Sequence, residues 1–268
     1  MRGGQGAAPR TLVILATILV LTVFVGVEPT PTSPSGLITG RIIDMSGEPI
    51  TNADVSTDGA WTTSDHNGNF SIVAPVTGSW VSVTRPGFLS RTRAGFPGDP
   101  LLMRMSPDDG RTVSLRFGGD VMMGRRFFDQ NEDGDREDGL VADPSNADEH
   151  STLLASITPL LSGADVTEVN VESPITDDPY LDPSEPRAET AHPTKEYVFA
   201  SGLGLPPALR RAGVDVVGLA NNHQFDLLDP GVRSTIDTFA AAGYAPGSGQ
   251  FGVGPDPAQS GYPLVRSL

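Results

Sequence analysis

The stretch VDVVGLANNHQFD, residues 214–226, constrains the fold more than any other part of the chain. Its first six residues are apolar apart from one aspartate, whereas a strand with one wet face would alternate apolar and polar side chains. A strand that is apolar throughout has to be covered on both faces, which is typical of parallel strands in α/β sheets. The polar residues Asn221, Asn222, His223 and Asp226 come after this apolar run. The sequence therefore predicts a buried parallel strand that carries polar side chains to one edge of a sheet.

Two earlier segments predict strands that end in a similar way. VSLRF, which starts at residue 113, carries apolar residues at alternate positions and stops at Gly118–Gly119–Asp120. DVTEVNV, which starts at residue 165, leads to Glu172. Between these strands, apolar residues at helical spacing predict a helix in residues 151–165, weakened or kinked by Pro159.

Two further helices are predicted around the buried strand. LPPALRRAG precedes it, and DPGVRSTIDTFAAAG follows it, with Asp229 as the N-cap and Gly243 just past the end. The resulting order is βαβαβα, and we expect residues 112–268 to form an α/β domain.

Residues 37–105 have a different pattern, in which short segments rich in β-formers alternate with glycine-containing turns. This pattern predicts a small all-β sandwich. The order of GRIIDMSGEPITNADVST, TTSDHNGNFSI and GSWVSVTRPGF resembles the carboxypeptidase-regulatory-like domain. That resemblance implies a β-sandwich with a spacer or binding role.

The N-terminal residues 1–27 predict export. Arg2 and Arg10 precede the uncharged apolar run TLVILATILVLTVFVGV, which is either a signal peptide or a retained membrane anchor. Residues 28–36 form a linker rich in proline, serine and threonine. We therefore expect an extracytoplasmic protein, secreted or membrane-anchored.

The charge and the absence of cysteine exclude several classes of function. Against 33 Asp and Glu there are 18 Lys and Arg, so the formal net charge is -15 at pH 7. Such a surface repels nucleic acids. With no cysteine, disulfides, thiolate metal sites and a cysteine nucleophile are excluded. Any metal ion has to be bound through oxygen and imidazole ligands.

The three strand ends predict a shared site. In α/β sheets ligands bind beyond the carboxyl ends of the strands, where Asp120, Glu172, Asn222 and His223 would converge. Carboxylate and amide oxygens with one imidazole suit manganese, magnesium, iron or zinc. Each residue also has a simpler interpretation: Asp120 as a helix cap, Glu172 as a solvated acid, and Asn222 as a turn residue.

The segments FGGDVMMGRR, NVESPIT and AGVDVVGLANNHQFDLLDPGVRSTIDTFAAAGYAPGSG resemble the capsule-synthesis CapA-type family, associated with poly-γ-glutamate, over about residues 113–254. The resemblance implies the four-layer α/β sandwich of calcineurin-like metallophosphoesterases and a dinuclear metal site. It also implies that Asp120 is a metal ligand, Glu172 a bridging carboxylate, Asn222 a further ligand and His223 the proton donor.

One further residue is a candidate for binding substrate at this site. Arg125 would hold an anionic substrate, or would be a solvated arginine at a helix start.

The metal site is expected to be incomplete. The resemblance implies that the remaining metal ligands are histidines further downstream, but none of the four histidines follows His223. We therefore expect the chain to be a C-terminally truncated fragment with half of the metal site.

The acidic segment DQNEDGDREDG, residues 129–139, resembles the start of a calcium-binding loop. Leu140 stands where the bidentate glutamate of such a loop belongs. A solvated acidic insertion is the favoured interpretation, and a calcium site is the alternative.

Three functions stay open on this basis. The first is an exported accessory protein of poly-γ-glutamate or capsule synthesis or anchoring, with a metal-dependent hydrolase-like rim. Its partners would be the anionic polymer and capsule-synthesis membrane proteins. The second is a secreted metal-dependent phosphoesterase that acts on small phosphoester or amide substrates. The third is a non-catalytic polymer-binding protein of the cell surface.

Overall fold

The computed structural model describes residues 34–182, 185–254, 260–261 and 263–265. The predicted signal peptide or anchor, and the predicted linker as far as residue 33, lie outside these residues. Within the described part of the chain, no helix is long and apolar enough to cross a membrane.

Seven strands form the predicted all-β region in two sheets. They are β1 (Ser35–Ile43), β2 (Asp54–Thr57), β3 (Ala60–Thr63), β4 (Asn69–Pro75), β5 (Ser79–Arg85), β6 (Phe88–Gly95) and β7 (Leu101–Arg104). One sheet has the order β4-β1-β7 and the other β3-β2-β5-β6. Residues from both sheets form one hydrophobic core, in which Ile38, Val83 and Met103 are fully buried.

Strand β4 illustrates how the sequence produces this core. In NFSIVAP the side chains of Phe70, Ile72 and Ala74 are buried, whereas the residues between them are exposed. This alternation follows from the two-residue period of a strand. Burying a phenylalanine or isoleucine side chain contributes about 1.5–3 kcal/mol each.

The second region contains the predicted parallel sheet, which confirms the mixed α/β class. Its strands and helices are β8 (Leu115–Val121), α1 (Ala147–Leu154), α2 (Thr158–Leu161), β9 (Val166–Val171), β10 (Ile175–Thr176), β11 (Ser201–Gly202), α3 (Leu205–Arg211), β12 (Val216–Gly218), α4 (Leu228–Ala241) and β13 (Gln250–Phe251). The main sheet has the order β13-β12-β9-β8, with every neighbouring pair parallel. β10 and β11 form a separate parallel pair. The four-layer arrangement stays a prediction.

Three local predictions need correction. The helix predicted over residues 151–165 is two helices, because Pro159 lies in the first turn of α2, where a missing N–H costs no hydrogen bond. Strand β8 continues past the two glycines to Val121, with irregular pairing between Phe117 and Asp120. Helix α4 begins at Leu228, so Asp229 lies inside its first turn and is not the N-cap.

The sheet brings the ends of its strands to one edge and packs one face against helices. Val169 and Val171 of β9 share a buried core with Leu209 of α3 and Phe239 of α4. Because β8, β9 and β12 are parallel, the residues that follow them lie along the same edge of the sheet.

Candidate functional site

Asp120 and Glu172 lie next to each other at the carboxyl ends of β8 and β9. Asp120 is opposite Asn170 in the strand register, and the backbone N–H of Glu172 donates to the carbonyl of Val121 at 2.9 Å. The structure thus brings together the two predicted metal-binding acids.

The two carboxyl groups are close enough to shift each other's pKa. The pKa of Asp120 is lowered, first by the hydrogen bond from Asn170 Nδ2 to its Oδ1 at 2.7 Å and then by Glu172. The pKa of Glu172 is raised, first by its hydrogen bond to Asp120 and then by burial. The two adjacent acids therefore shift each other's pKa in opposite directions, and a cation beside them would relieve their repulsion.

Asn221 connects the third strand to this pair. Its Nδ2 donates to Asn170 Oδ1 at 3.0 Å and to the carbonyl of Val171 at 2.8 Å. Its Oδ1 accepts the backbone N–H of His223 at 3.0 Å. Asn221 received no role in the sequence interpretation, although it stands beside Asn222 in the same motif.

Asn222, the predicted third ligand, is exposed. Its backbone carbonyl accepts a hydrogen bond from the ammonium group of Lys195. Its side chain makes no hydrogen bond to any residue that the structure describes. Its role as a metal ligand stays a prediction.

His223 is held by a buried carboxylate. Its Nδ1 lies 2.7 Å from Asp226 Oδ2, and Asp226 is fully buried. Because an ionised carboxylate can only accept, Nδ1 carries the hydrogen and Nε2 is left for proton exchange. The ring of Phe199 stacks on the imidazole with centroids 4.0 Å apart. This contact fixes the plane of the ring.

Asp226 has two further partners from the preceding loop. Lys195 forms an ion pair with its Oδ1, and the backbone N–H of Phe199 donates to its Oδ2 at 2.7 Å. The sequence interpretation assigned no role to Asp226. The signal was present, since His223 and Asp226 are three residues apart, the spacing of neighbours on one helical turn.

Arg125 lines a cavity of about 650 Å³ beside this site. The cavity also contains Tyr180, Tyr197 and Phe199, the residue that stacks on His223. Arg125 forms a salt bridge with Glu132 at 2.8 Å and lies over the Tyr197 ring at 6.0 Å. Its φ of 48° lies in the left-handed region, which is unusual for a residue with a side chain. The backbone therefore turns at Arg125, at the start of the loop that follows β8.

The acidic loop after residue 128 is organised by hydrogen bonds to its own backbone. The buried Asp129 accepts from the N–H of Gly134 and from the hydroxyl of Tyr180, both at 2.8 Å. Burial acts to raise the pKa of Asp129, but these hydrogen bonds together lower it. Leu140 is exposed.

Neither the site at Asp120 and Glu172 nor the acidic loop at residues 129–139 contains a larger cluster of potential metal ligands among the described residues. Among the described residues, no group of three or more His, Asp or Glu side chains is placed to hold a metal ion. The carboxyl ends of β8 and β9, which we call the rim, thus offer the two carboxylates of Asp120 and Glu172. A third metal ligand at the rim would have to be an amide oxygen.

Family models match both regions of the chain. A model described as bacterial capsule synthesis protein PGA_cap matches residues 114–268, and one described as carboxypeptidase regulatory-like domain matches residues 37–102. No curated protein matches the chain.

Solved structures show only partial likeness. A C-terminal interface mutant of a type II cohesin–X-dockerin complex from Acetivibrio cellulolyticus is 20% identical, over 28% of this chain and 59% of that one, with a TM-score of 0.24. An N-terminal interface mutant of that complex is 16% identical, over 39% and 86%, with a TM-score of 0.25. The 3-chlorocatechol 1,2-dioxygenase of Rhodococcus opacus 1CP is 10% identical, over 30% and 61%, with a TM-score of 0.20. The chain thus spans 59% of the first of these structures.

Proposed function

Because this chain belongs to the bacterial capsule synthesis protein family PGA_cap, we propose that it is an exported accessory protein that makes or anchors an anionic γ-linked glutamate polymer. The observation that carries the proposal is the adjacent pair Asp120 and Glu172, with His223 and Asp226 following the neighbouring strand. Export is inferred from the apolar run after Arg10.

The two carboxylates and the amide of Asn222 would hold a divalent cation. The donor set fits such an ion, because the carboxyl groups of Asp120 and Glu172 are adjacent and a cation would relieve the repulsion between them. When bound, the cation supplies a Lewis acid for a carbonyl or phosphoryl oxygen. Asn170 holds Asp120 in place through its 2.7 Å hydrogen bond.

His223 would move the proton of the reaction. Asp226 keeps the hydrogen on Nδ1 and stabilises the ring when it becomes charged, so that Nε2 can give a proton to a departing group. Lys195 and the N–H of Phe199 in turn hold the carboxylate of Asp226. This arrangement supports hydrolysis or transfer at an amide or a phosphate ester.

Arg125 would bind a carboxylate of the polymer in the adjoining cavity. Its guanidinium already pairs with Glu132, and 39% of its side chain is exposed. A substrate carboxylate would therefore approach the exposed part of the guanidinium and take the place of Glu132 as its ion-pair partner. Since the net charge of the chain is -15, cations are needed to bring a polyanion to this surface.

The test compares two substrates, poly-γ-glutamate and a generic phosphomonoester, and two variants. We expect purified protein with manganese to shorten or transfer poly-γ-glutamate, and Asp120→Ala to lower the rate by about 100-fold or more. The exposed Asp237→Ala is the matched control and should keep full activity. Chain length is measured by size-exclusion chromatography, and metal content by mass spectrometry.

Two outcomes would replace the proposal. If a generic phosphomonoester is hydrolysed and the polymer is not, the protein is a small-molecule phosphoesterase. If the polymer binds equally to the wild type and Asp120→Ala and nothing is hydrolysed or transferred, the protein is a non-catalytic polymer-binding protein.

A further inference from the structure

The cavity of about 650 Å³ beside the candidate site is lined by the loop after β8 and by the loop between β10 and β11. Its volume lies within the range of sites for small organic molecules, about 300–1,000 Å³. Phe199 lines the cavity and also stacks on the imidazole of His223, with ring centroids 4.0 Å apart. The cavity is therefore next to the residue that would exchange the proton of the reaction.

Three arginines line the cavity, and they differ in the partners that they already have. Arg125 forms a salt bridge with Glu132 at 2.8 Å. Arg187 donates to two backbone carbonyls of its own loop, at 2.9 and 3.3 Å. The guanidinium of Arg136, by contrast, forms no ion pair with any residue that the structure describes. Arg136 is thus the arginine whose charge is left for a ligand.

Aromatic rings orient the guanidinium of Arg136. Its Cζ lies 5.1 Å from the centroid of the Tyr180 ring and 5.7 Å from that of the Phe128 ring. The Tyr180 ring is held in turn, because its hydroxyl donates to the fully buried Asp129 at 2.8 Å. A guanidinium that packs on aromatic rings keeps N–H donors at its edge, in the planar fork that matches a carboxylate.

The cavity as a whole is acidic. Five acidic residues line it together with the three arginines. Two of these acids, Asp178 and Glu196, are exposed and form no ion pair with a described residue. A ligand with negative charges alone is repelled by these carboxylates, whereas a ligand with both a carboxylate and an ammonium group is complementary to the cavity.

We propose that the cavity binds the head group of an α-amino acid, with its carboxylate on Arg136 and its ammonium group facing Asp178 and Glu196. In a γ-linked glutamate chain the amide bonds consume every α-amino group except the first. Only the amino-terminal residue therefore carries an ammonium group beside its α-carboxylate. This inference rests on the proposed function and names the part of the polymer that the site recognises, so that units would be removed or transferred at the amino-terminal end.

The experiment measures binding to the 268-residue chain by isothermal titration calorimetry, with a chelator present to exclude turnover that depends on a metal ion. The probe is γ-glutamylglutamate. Its N-acetyl derivative lacks the ammonium group, and the derivative with an α-amide on its first residue lacks that carboxylate. We expect each derivative to bind about 10-fold more weakly than the dipeptide, because each loses a charge-assisted hydrogen bond.

Variants assign the two charges to residues. Arg136→Met should weaken dipeptide binding by about 10-fold and remove the difference between the dipeptide and the α-amide. The double variant Asp178→Asn and Glu196→Gln should remove the difference between the dipeptide and the N-acetyl derivative. Arg111→Met and Asp237→Asn change exposed residues outside the cavity, and these matched controls should bind like the wild type.

Free glutamate distinguishes two sources of the same head group. Tighter binding of the dipeptide than of glutamate identifies the end of a chain as the ligand. Equal or tighter binding of glutamate keeps the head-group site but makes a free amino acid its ligand.

Three results would overturn the inference: no measurable binding of the dipeptide, equal binding of the dipeptide and its N-acetyl derivative, or equal binding by Arg136→Met and the wild type. None of them depends on Asp120 or on a metal ion. If the polymer is shortened but the N-acetyl derivative binds like the dipeptide, the proposed function stands and this inference fails. If the dipeptide binds as expected but the polymer is neither shortened nor transferred, the head-group site stands and the proposed function fails.

Discussion

At the scale of single residues, Asp226 connects more of the candidate site than any residue chosen from the sequence. Its carboxylate accepts from His223, Lys195 and the backbone of Phe199. Two of these three partners come from the loop before α3, so one buried acid attaches that loop to the residues after β12.

Replacing Asp226 tests this role. We expect Asp226→Ala to lower the free energy of unfolding by roughly 2–4 kcal/mol, because it leaves three donors without their acceptor. Urea denaturation measures the change. Asp237→Ala removes an exposed acid of α4 and should stay within about 0.5 kcal/mol of the wild type. Equal effects of the two substitutions would contradict the role of Asp226.

His150 makes the stability of the protein depend on pH. It is fully buried in α1, and its Nε2 has no partner among the described residues. Burial lowers its pKa from the usual 6.5, and the hydrogen bond to Asn146 and the nearby acids offset this only in part. The unfolded chain therefore binds the proton more readily than the folded one.

The sign of the effect follows from this difference. The stability that neutral His150 contributes is complete above its unfolded pKa of 6.5 and is lost as the pH falls below that value. We expect His150→Leu to reduce the fall of the free energy of unfolding with acid, measured by urea denaturation at several pH values, by up to about 1.4 kcal/mol per pH unit. The buried Leu154→Ala of the same helix should lower the midpoint equally at every pH. A pH slope identical to that of the wild type in His150→Leu would refute the prediction.

At the scale of elements, the turns of the β-sandwich depend on glycines for two different reasons. Gly68, before β4, has a φ of 77°, and a β-carbon there would lie 2.3 Å from the carbonyl oxygen of Ile42. Gly87, before β6, has a φ of 85°, but a β-carbon there would meet no atom within 4 Å. The first glycine is needed for conformation and space, and the second for conformation alone.

The two glycines form a matched pair of substitutions. We expect Gly87→Ala to cost about 1–2 kcal/mol, the ordinary penalty of a left-handed backbone. Gly68→Ala should cost at least about 1 kcal/mol more, because strand β1 has to move away from the new methyl group. Thermal unfolding followed by circular dichroism measures both. The prediction is wrong if the two variants lose the same stability.

At the scale of the whole molecule, the net charge determines how the protein can approach the ligand of the proposed function. A net charge of -15 opposes the approach of an anionic polymer. The Asp120–Glu172 pair would bind cations, which also lower the repulsion between the protein and such a polymer.

The sequence alone determined the fold class and the order of the main strands and helices, but not the short strands β10, β11 and β13. Strand alternation in residues such as Phe70 and Ile72, and the apolar run of β12, depend on local periods that a burial pattern reveals. It also placed Asp120 and Glu172 at strand ends, because parallel strands share one carboxyl edge.

Only the tertiary structure decided which side chains meet. Asn221 contacts Asn170, Lys195 pairs with Asp226, and Arg116 lies against Gly163 of a different element. These contacts join positions far apart in the chain, and they depend on strand register and loop path. The local sequence carries no period that encodes either, so a polar residue such as Asn222 or Asp226 looks the same whether it faces solvent or a buried partner.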